Sequence, residues 1–238
     1  MALERLKSVQ DLRNLQQRLA SERDPRIPVV VIPAGTCGQA SGANDLIRIA
    51  KREILGRGLT DKIRLRVTGC HGYCQMEPSV LIEPRGTFYP RVDLDHMAEI
   101  VQAAAKGMVL EHLLYRDDET ENRIERQSEI PFFRKQVRTI IAQNERVDPI
   151  RILNYIEVGG YGALATILEK GDPQWVIDEI KTAGLRGRGG AGFPTGLKWE
   201  LLAQQNKRTK YLVCNADEGD PGAYMDRSVL EGNPHSVI

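Results

Sequence analysis

Leu3, Leu6, Val9, Leu12, Leu15 and Leu19 recur every three or four residues, with Arg, Glu and Gln between them. That period predicts an amphipathic helix ending before Asp24-Pro25, packed on its own domain; the repeat is too short for sustained coiled-coil heptads. Residues 28–32, Pro-Val-Val-Val-Ile, form an unbroken apolar run and read as a buried strand. A helix over 44–55 follows, capped by Asn44 and closed at Gly56. Ile63, Leu65 and Val67 alternate with Arg64 and Arg66, which predicts a half-exposed strand. Strands over 80–83 and 88–92 and a helix over 94–105 complete the order helix, strand, helix, strand, strand, strand, helix.

Residues 115–123 are a run of charge with little to bury, so 108–129 reads as a solvated linker. Beyond it, Phe132-Phe133 and Ile140-Ile141 suggest a helix lying on the main domain. Asp148-Pro149 starts another through Leu153, Ile156 and Val158, and two more are predicted over 161–169 and 173–183. Tyr161 and Trp175 read as core at that spacing. A short helix over 197–202 then precedes the apolar run Tyr211-Leu-Val-Cys214, which reads as a strand.

Composition narrows the function classes. With 33 Lys plus Arg against 32 Asp plus Glu in 238 residues, no net charge draws the chain to nucleic acid. No apolar run approaches a membrane span, so no direct membrane insertion is expected. The N-terminus is charged from Glu4 onward, unlike a secretory signal. Four cysteines in such a chain point to metal or redox chemistry rather than a disulfide scaffold, and to a cytoplasmic or matrix-like setting.

The stretch with the most chemistry lies between Gly184 and Arg227. Five glycines fall between Gly184 and Gly192, flanked by Arg186, Arg188 and Lys198. Glycine lets a backbone approach a ligand closely, and amides at the start of the following helix suit an anion. Asn215, Asp217 and Glu218 stand at the end of the predicted strand, where ligands of open α/β sheets bind. Phosphate grip beside hydroxyl acceptors suggests a nucleotide or flavin. Gly187-Arg-Gly189-Gly-Ala-Gly192 matches the dinucleotide fingerprint, but a helical pattern precedes it instead of a strand. Gly196-Leu197-Lys198-Trp199 lacks the Gly-Lys-Ser/Thr ending of a P-loop.

At these residues the sequence resembles the flavoprotein subunit of NADH-quinone oxidoreductase, also the diaphorase subunit of NAD-linked hydrogenases and formate dehydrogenases. The resemblance runs from about 130 to 238. It implies that Gly187, Arg188, Gly189, Gly190 and Lys198 hold the phosphate and ribityl chain of FMN. Asn215, Asp217 and Glu218 would lie on the polar side of the flavin. Phe193 would stack on the NAD(H) adenine, with Asp220 near the nicotinamide. Electrons would pass from NADH through the flavin to iron–sulfur subunits of a larger complex, with no acid–base residue taking part.

Cys37 follows the first predicted strand; Cys70 and Cys74 follow the second, in Thr68-Gly-Cys-His-Gly-Tyr-Cys74. This half has the element order of a thioredoxin-like domain and resembles the thioredoxin-like [2Fe-2S] ferredoxins that accompany the flavoprotein subunit. Those carry two cysteines in the first loop and two in the second. Here the first loop has only Cys37, with Pro33 near the place of the missing thiolate. A cluster on Cys37, Cys70 and Cys74 then needs His71, an oxygen donor or a partner's residue as well. Beside it stand a scaffold that has lost its cluster and a Cys/His zinc site. Cys214 reads as a buried core thiol.

The combined expectation is an α/β chain. Residues 1–107 would form the thioredoxin-like ferredoxin domain, 108–129 a linker, and 130–238 the start of a Rossmann-like FMN/NADH-binding domain. The family's later four-cysteine [4Fe-4S] site has no counterpart in the sequence, so a fragment, split product or shortened subunit is expected. A non-catalytic electron-transfer or assembly module is the alternative function.

Overall fold

The computed structural model describes residues 5–238, and Leu3 of the predicted first helix lies outside them. The chain is mixed helix and sheet, the α/β class expected, and divides into two compact units. One comprises Gln16–Gly160 and Asp217–Ile238; the other comprises the residues up to Leu15 and Tyr161–Ala216. That division differs from the expected one at 107 and 130.

The first helix, α1, spans Val9–Glu22. Ser8 and Asp11 cap it reciprocally: the Asp11 amide donates to Ser8 Oγ, and the Ser8 amide to Asp11 Oδ2. Its leucines are half-buried.

The larger unit is organised on β1 (Val29–Pro33), buried at every residue. β2 (Arg64–Thr68) runs parallel to β1, with Val30 opposite Leu65. β3 (Val80–Glu83) is antiparallel to β1, and β4 (Thr87–Tyr89) to β3, giving the order β2-β1-β3-β4. β4 is shorter than the predicted 88–92 because Pro90 has no amide to continue the ladder. Between β1 and β2 lie a short helix α2 (Thr36–Ala40) and α3 (Ala43–Gly56); α4 (Leu94–Ala105) follows β4. The expected order of elements is therefore present, with α2 added. α3 begins after Gly42 at φ 104°, so Asn44 is not its cap.

An apolar strand buried on both faces needs two covers. Val30 and Ile32 face Leu46, Ala50, Met97 and Ile100 of α3 and α4. On the other side Val29, Val31, Leu81 and Phe88 meet Tyr115, Ile130 and Phe133. That second cover comes partly from the stretch read as a solvated linker, which supplies Tyr115, and partly from the helix expected to lie on the main domain, which supplies Phe133. Its charged run forms a hairpin of β5 (Tyr115–Arg116) and β6 (Arg123–Ile124), and the Phe88 amide bonds the Glu125 carbonyl. Arg116, Asp118, Glu119, Glu121 and Arg123 are exposed, while Asp117 is buried and accepts from the amides of Glu119 and Thr120.

α5 (Pro131–Arg134) carries Phe133, and α6 (Ile152–Glu157) lies later in the same unit. The smaller unit holds α7 (Gly162–Lys170), α8 (Pro173–Thr182) and α9 (Thr195–Ala203). Trp175 is half-buried with the Lys170 ammonium 4.4 Å from its ring. The predicted strand at 211–214 is absent: this run is coil, and Tyr211, Leu212 and Val213 are exposed. The described part of this unit is helical and offers the run no sheet edge to pair with. Cys214 is accordingly exposed, not a core thiol.

Candidate functional site

In the smaller unit, two helices fix the glycine-rich segment. Asp172 caps α8, accepting from the amides of Gln174 (3.0 Å) and Trp175 (3.2 Å), with Pro173 at its first turn. Gly184, at φ 62°, ends it in a Schellman turn: the Gly184 amide bonds Lys181 O and the Leu185 amide bonds Ile180 O. The chain then doubles back. Thr195 N donates to Leu185 O and Gly187 N to Phe193 O, both at 2.9 Å, and Arg186 bridges Pro194. The segment is a closed hairpin whose tip is 188–192.

Arg186 Nε donates to Gly192 O (2.7 Å) and Arg188 Nη1 to Arg186 O (3.0 Å), so both guanidinium groups brace the hairpin's own carbonyls. α9 begins as the hairpin ends. Gly196 presses on Lys181 of α8, where a Cβ would lie 2.6 Å from Lys181 Cγ, and Lys181 pairs with Glu200. Lys198 sits on the first turn of α9, exposed. The predicted loop residues Gly187, Arg188, Gly189, Gly190, Phe193 and Lys198 thus share one hairpin-and-helix corner. Phe193 is 42% exposed, and Gly189 and Gly190 are exposed. Asn215 belongs to the same unit, on the coil where a strand was expected.

Asp217, Glu218 and Asp220 belong to the larger unit. Glu218 Oε1 accepts from the amides of Met225 (2.6 Å) and Asp226 (2.9 Å), and Oε2 from Arg227 (3.1 Å). These are the open amides of α10 (Met225–Gly232). Desolvation would raise the Glu218 pKa, but the three amides outweigh it and hold it below the ordinary glutamate value. Asp217 and Asp220 are exposed.

The far end of α10 reaches the cysteine loop. Gly232 packs backbone to backbone on Gly69, and Asn144 Nδ2 donates to Cys70 O (3.2 Å) and Ser228 O (3.1 Å). Thr36 Oγ1 meets Glu231 at 3.2 Å. The acidic turn and the thiol loops are therefore linked through one helix, a connection that sequence spacing does not reveal.

Cys37 lies in α2, Cys70 after β2, and Cys74 in the turn beyond, all as free thiols. Strand exits on neighbouring parallel strands place them together: a Cβ on Gly35 would lie 3.1 Å from Cys70 Cβ. Cys74, burial and Glu77 raise the Cys37 pKa; burial raises that of Cys74, with Cys70 and Glu77 adding and Cys37 opposing. Glu77, absent from the predicted site, is pushed up to about 7 by burial, against hydrogen bonds from Ser79. His71 is buried, its Nε2 2.8 Å from Thr68 Oγ1. Burial, Arg138 and Arg66 lower its pKa to about 3, so it is neutral. Among the described residues no group of three or more His, Cys, Asp and Glu is arranged to hold a metal ion, which leaves the zinc alternative unsupported.

Residues 180–238 match the family model described as Nuo51 FMN-binding domain. The chain is 51% identical over 105 residues to the NADP-reducing hydrogenase subunit HndC of Solidesulfovibrio fructosivorans, covering 44% of this chain and 21% of that one. It is 43% identical over 100 residues to an F-type NADH-quinone oxidoreductase subunit of Rhizobium meliloti (strain 1021), covering 42% of this chain and 24% of that one. The C-terminal part of the chain is homologous to these oxidoreductase subunits. The matched stretch covers about a fifth to a quarter of their length.

Two solved structures are more distant. A thioredoxin-like [2Fe-2S] ferredoxin from Aquifex aeolicus shares 22% identity at a TM-score of 0.35, over 37% of this chain and 95% of its own. An NAD+-reducing [NiFe]-hydrogenase shares 22% at 0.31, over 93% of this chain and 38% of its own. Superpositions that loose establish no shared fold, and the topology rests on the strand register above.

Proposed function

We propose that the chain is part of an NADH:acceptor oxidoreductase module that binds FMN and NAD(H) and passes electrons to iron–sulfur subunits of a multisubunit complex. The observation that carries this reading is the braced glycine hairpin running into α9, inside the stretch matched by the FMN-binding family model. Bound flavin would supply the exchange between two-electron hydride chemistry and one-electron transfer.

The chain's own residues bind and orient. Gly187, Gly189 and Gly190 keep side chains off the hairpin, so its backbone can approach a phosphate and ribityl chain. Lys198 adds a cation, and amides at the start of α9 add a positive helix end. Phe193 offers an exposed ring for an adenine. Asn215, Asp217 and Asp220 are exposed polar groups suited to hydroxyls and amides of the cofactors. Glu218 holds α10 by its amides, so its part is to fix the acidic turn.

For an iron–sulfur group the fit is incomplete: three thiols lie on the loops that follow β1 and β2, yet among the described residues no group of three or more His, Cys, Asp and Glu is arranged to hold a metal ion. Among the described residues no helix is long and apolar enough to cross a membrane.

The unformed strand at 211–214 favours a second reading, a non-catalytic assembly or electron-transfer module. The visible spectrum of the purified protein separates the two. Bound FMN with NADH-dependent dye reduction supports the first; a colourless, inactive protein supports the second. Lys198→Ala should weaken flavin retention, and undiminished FMN in that variant contradicts the role given to Lys198.

A further inference from the structure

The four-stranded sheet has two edges, and the chain closes one of them. Beside β4, the Phe88 amide donates to Glu125 O and the Gln127 amide to Gly86 O, both at 2.9 Å, while Thr87 bridges Arg126. Along β2 no strand pairs on the outer side among the described residues. The Arg64 amide donates to Pro28 O (2.9 Å), and Thr68 O accepts from the Ala34 amide (2.8 Å), so these two residues bond inward to β1 and its flanks. The strand period of two then turns the N–H and C=O of Leu65 and Val67 outward. Both residues are half-buried. An open edge of this kind is a template for a further strand.

The side chains of β2 specify which strand. Leu65 and Val67 lie on one face, against the core under α3 and α4. Arg64 and Arg66 lie on the other. There a cavity of about 410 Å³ opens beside the strand, with Arg23, Arg64, Arg66, Glu83, Asp148 and Glu157 in its lining. Its charges are already matched, with one exception. Arg66 pairs with Glu83 at 2.8 Å, Arg23 with Glu83 at 3.7 Å and Glu157 at 3.4 Å, and Arg151 with Asp148 at 3.1 Å. Asp24, which also lines the cavity and feels the charge of Arg64, is held by Arg26 at 2.9 Å. Arg64 is exposed, and no ion pair reaches it among the described residues.

We propose that the open edge of β2 binds an extended segment of a partner protein in which acidic and apolar residues alternate. In an antiparallel pair, the more stable arrangement, residues opposite Leu65 and Val67 exchange backbone bonds with them and put apolar side chains beside theirs. The residue opposite Arg64 falls on the cavity face, where an acid meets the unmatched guanidinium. A second copy of this chain fits poorly: pairing β2 with β2 sets the arginines of both copies on one face, and the strand has no acid to offset them. Flavin and cluster take no part in this contact, so its outcome is independent of the proposed redox activity.

The test is fluorescence anisotropy of the full chain with a fluorescein-labelled peptide of about eight residues alternating Glu and Val. The wild type should bind it, and should bind a peptide of the same composition with the Glu and Val residues in two blocks much less. N-methylation of the Val amides, which face β2, should abolish binding, whereas N-methylation of the Glu amides spares it. Arg64→Glu should lower affinity about five- to tenfold, since one attraction becomes a repulsion, and Arg64→Lys should restore most of it. Should Arg64→Glu not fold, by circular dichroism, the two methylated peptides decide on unaltered protein. The proposal is overturned if the alternating peptide does not bind, if methylation of the Val amides is tolerated, or if folded Arg64→Glu binds as the wild type does. A wild-type dimer that the peptide dissociates in sedimentation would make the edge a self-contact and overturn the acidic partner.

Discussion

Gly232 is where α10 meets the cysteine loop, and an alanine there should be costly. Its Cβ would lie 2.5 Å from Asn144 Nδ2 and 2.8 Å from Asn144 Cγ. Ordinary contact is about 3.5–4.0 Å, so the amide must retreat by roughly 1 Å. Asn144 is buried and pinned by its bonds to Cys70 O and Ser228 O, so it has no easy way out. Overpacking of this kind costs about 1–3 kcal/mol. Two weakened hydrogen bonds add about 0.5–1.5 kcal/mol each. Gly232 does not have positive φ, so alanine returns up to about 1 kcal/mol of helix propensity. The net loss is about 2–3 kcal/mol, or about 30- to 150-fold in the unfolding equilibrium.

The assay must report on the right unit. Trp175 and Trp199 both lie in the smaller unit, so tryptophan fluorescence is blind to this change. Urea unfolding by circular dichroism, with hydrogen exchange of the β1 amides, reads the larger one. Gly56→Ala is the control, since its Cβ would meet nothing within 4 Å. Wild-type stability in Gly232→Ala would refute the packing argument. So would additivity: in an Asn144→Ala background the obstructing amide is gone, and Gly232→Ala should cost much less.

Three further outcomes follow from single contacts. Asn144→Ala alone should destabilise the larger unit by about 1–3 kcal/mol, because two carbonyls lose a buried donor; unchanged urea midpoints would show that water replaces it. Glu218→Gln should speed hydrogen exchange at Met225, Asp226 and Arg227 at neutral pH. The folded Glu218 pKa lies below the unfolded value, so the wild-type advantage is complete above about 4.5 and fades as pH falls through the lower folded pKa; a difference independent of pH would contradict the capping role. Lys198→Ala should leave both units folded and lower flavin retention, measured by released fluorescence, because the Lys198 side chain is exposed.

The sheet was legible because its signals are local. An all-apolar five-residue strand, Arg–aliphatic alternation in β2 and a 3.6-residue period in α3 and α4 each state their burial in sequence. The cover on the second face was legible only at Phe133, in the helix expected on the main domain; Tyr115 stands among charges where no period marks it. Tyr211–Cys214 failed in the opposite way. Its composition says strand, yet a strand exists only where an edge is offered, and the described helical unit offers none. The segment 184–195 was legible as a glycine-rich loop leading into a helix. That Arg186 and Arg188 serve its own carbonyls was not, since a sequence shows a cation but not where it points.

The same limit concealed Glu77 and Glu218. Read linearly, Glu218 belongs with Asp217 and Asp220 as a ligand acceptor, and Glu77 is one more charge after Cys74. In three dimensions Glu218 closes the amides of α10, while Glu77 is half-buried with its carboxylate held by Ser79 and its Oε2 beside Gly38. α10 then runs from the carboxylate of the acidic turn to the backbone behind Cys70. If the acidic turn contacts a cofactor, any movement there is transmitted to the thiol loop by a helix capped at one end and wedged against Gly69 at the other. Loosening that wedge with Gly232→Ala should therefore speed labelling of Cys70 by a thiol reagent, mapped by mass spectrometry under native conditions, while Gly56→Ala leaves it as it was. Equal labelling rates in the two variants would mean that α10 braces the fold without reaching the thiol loop.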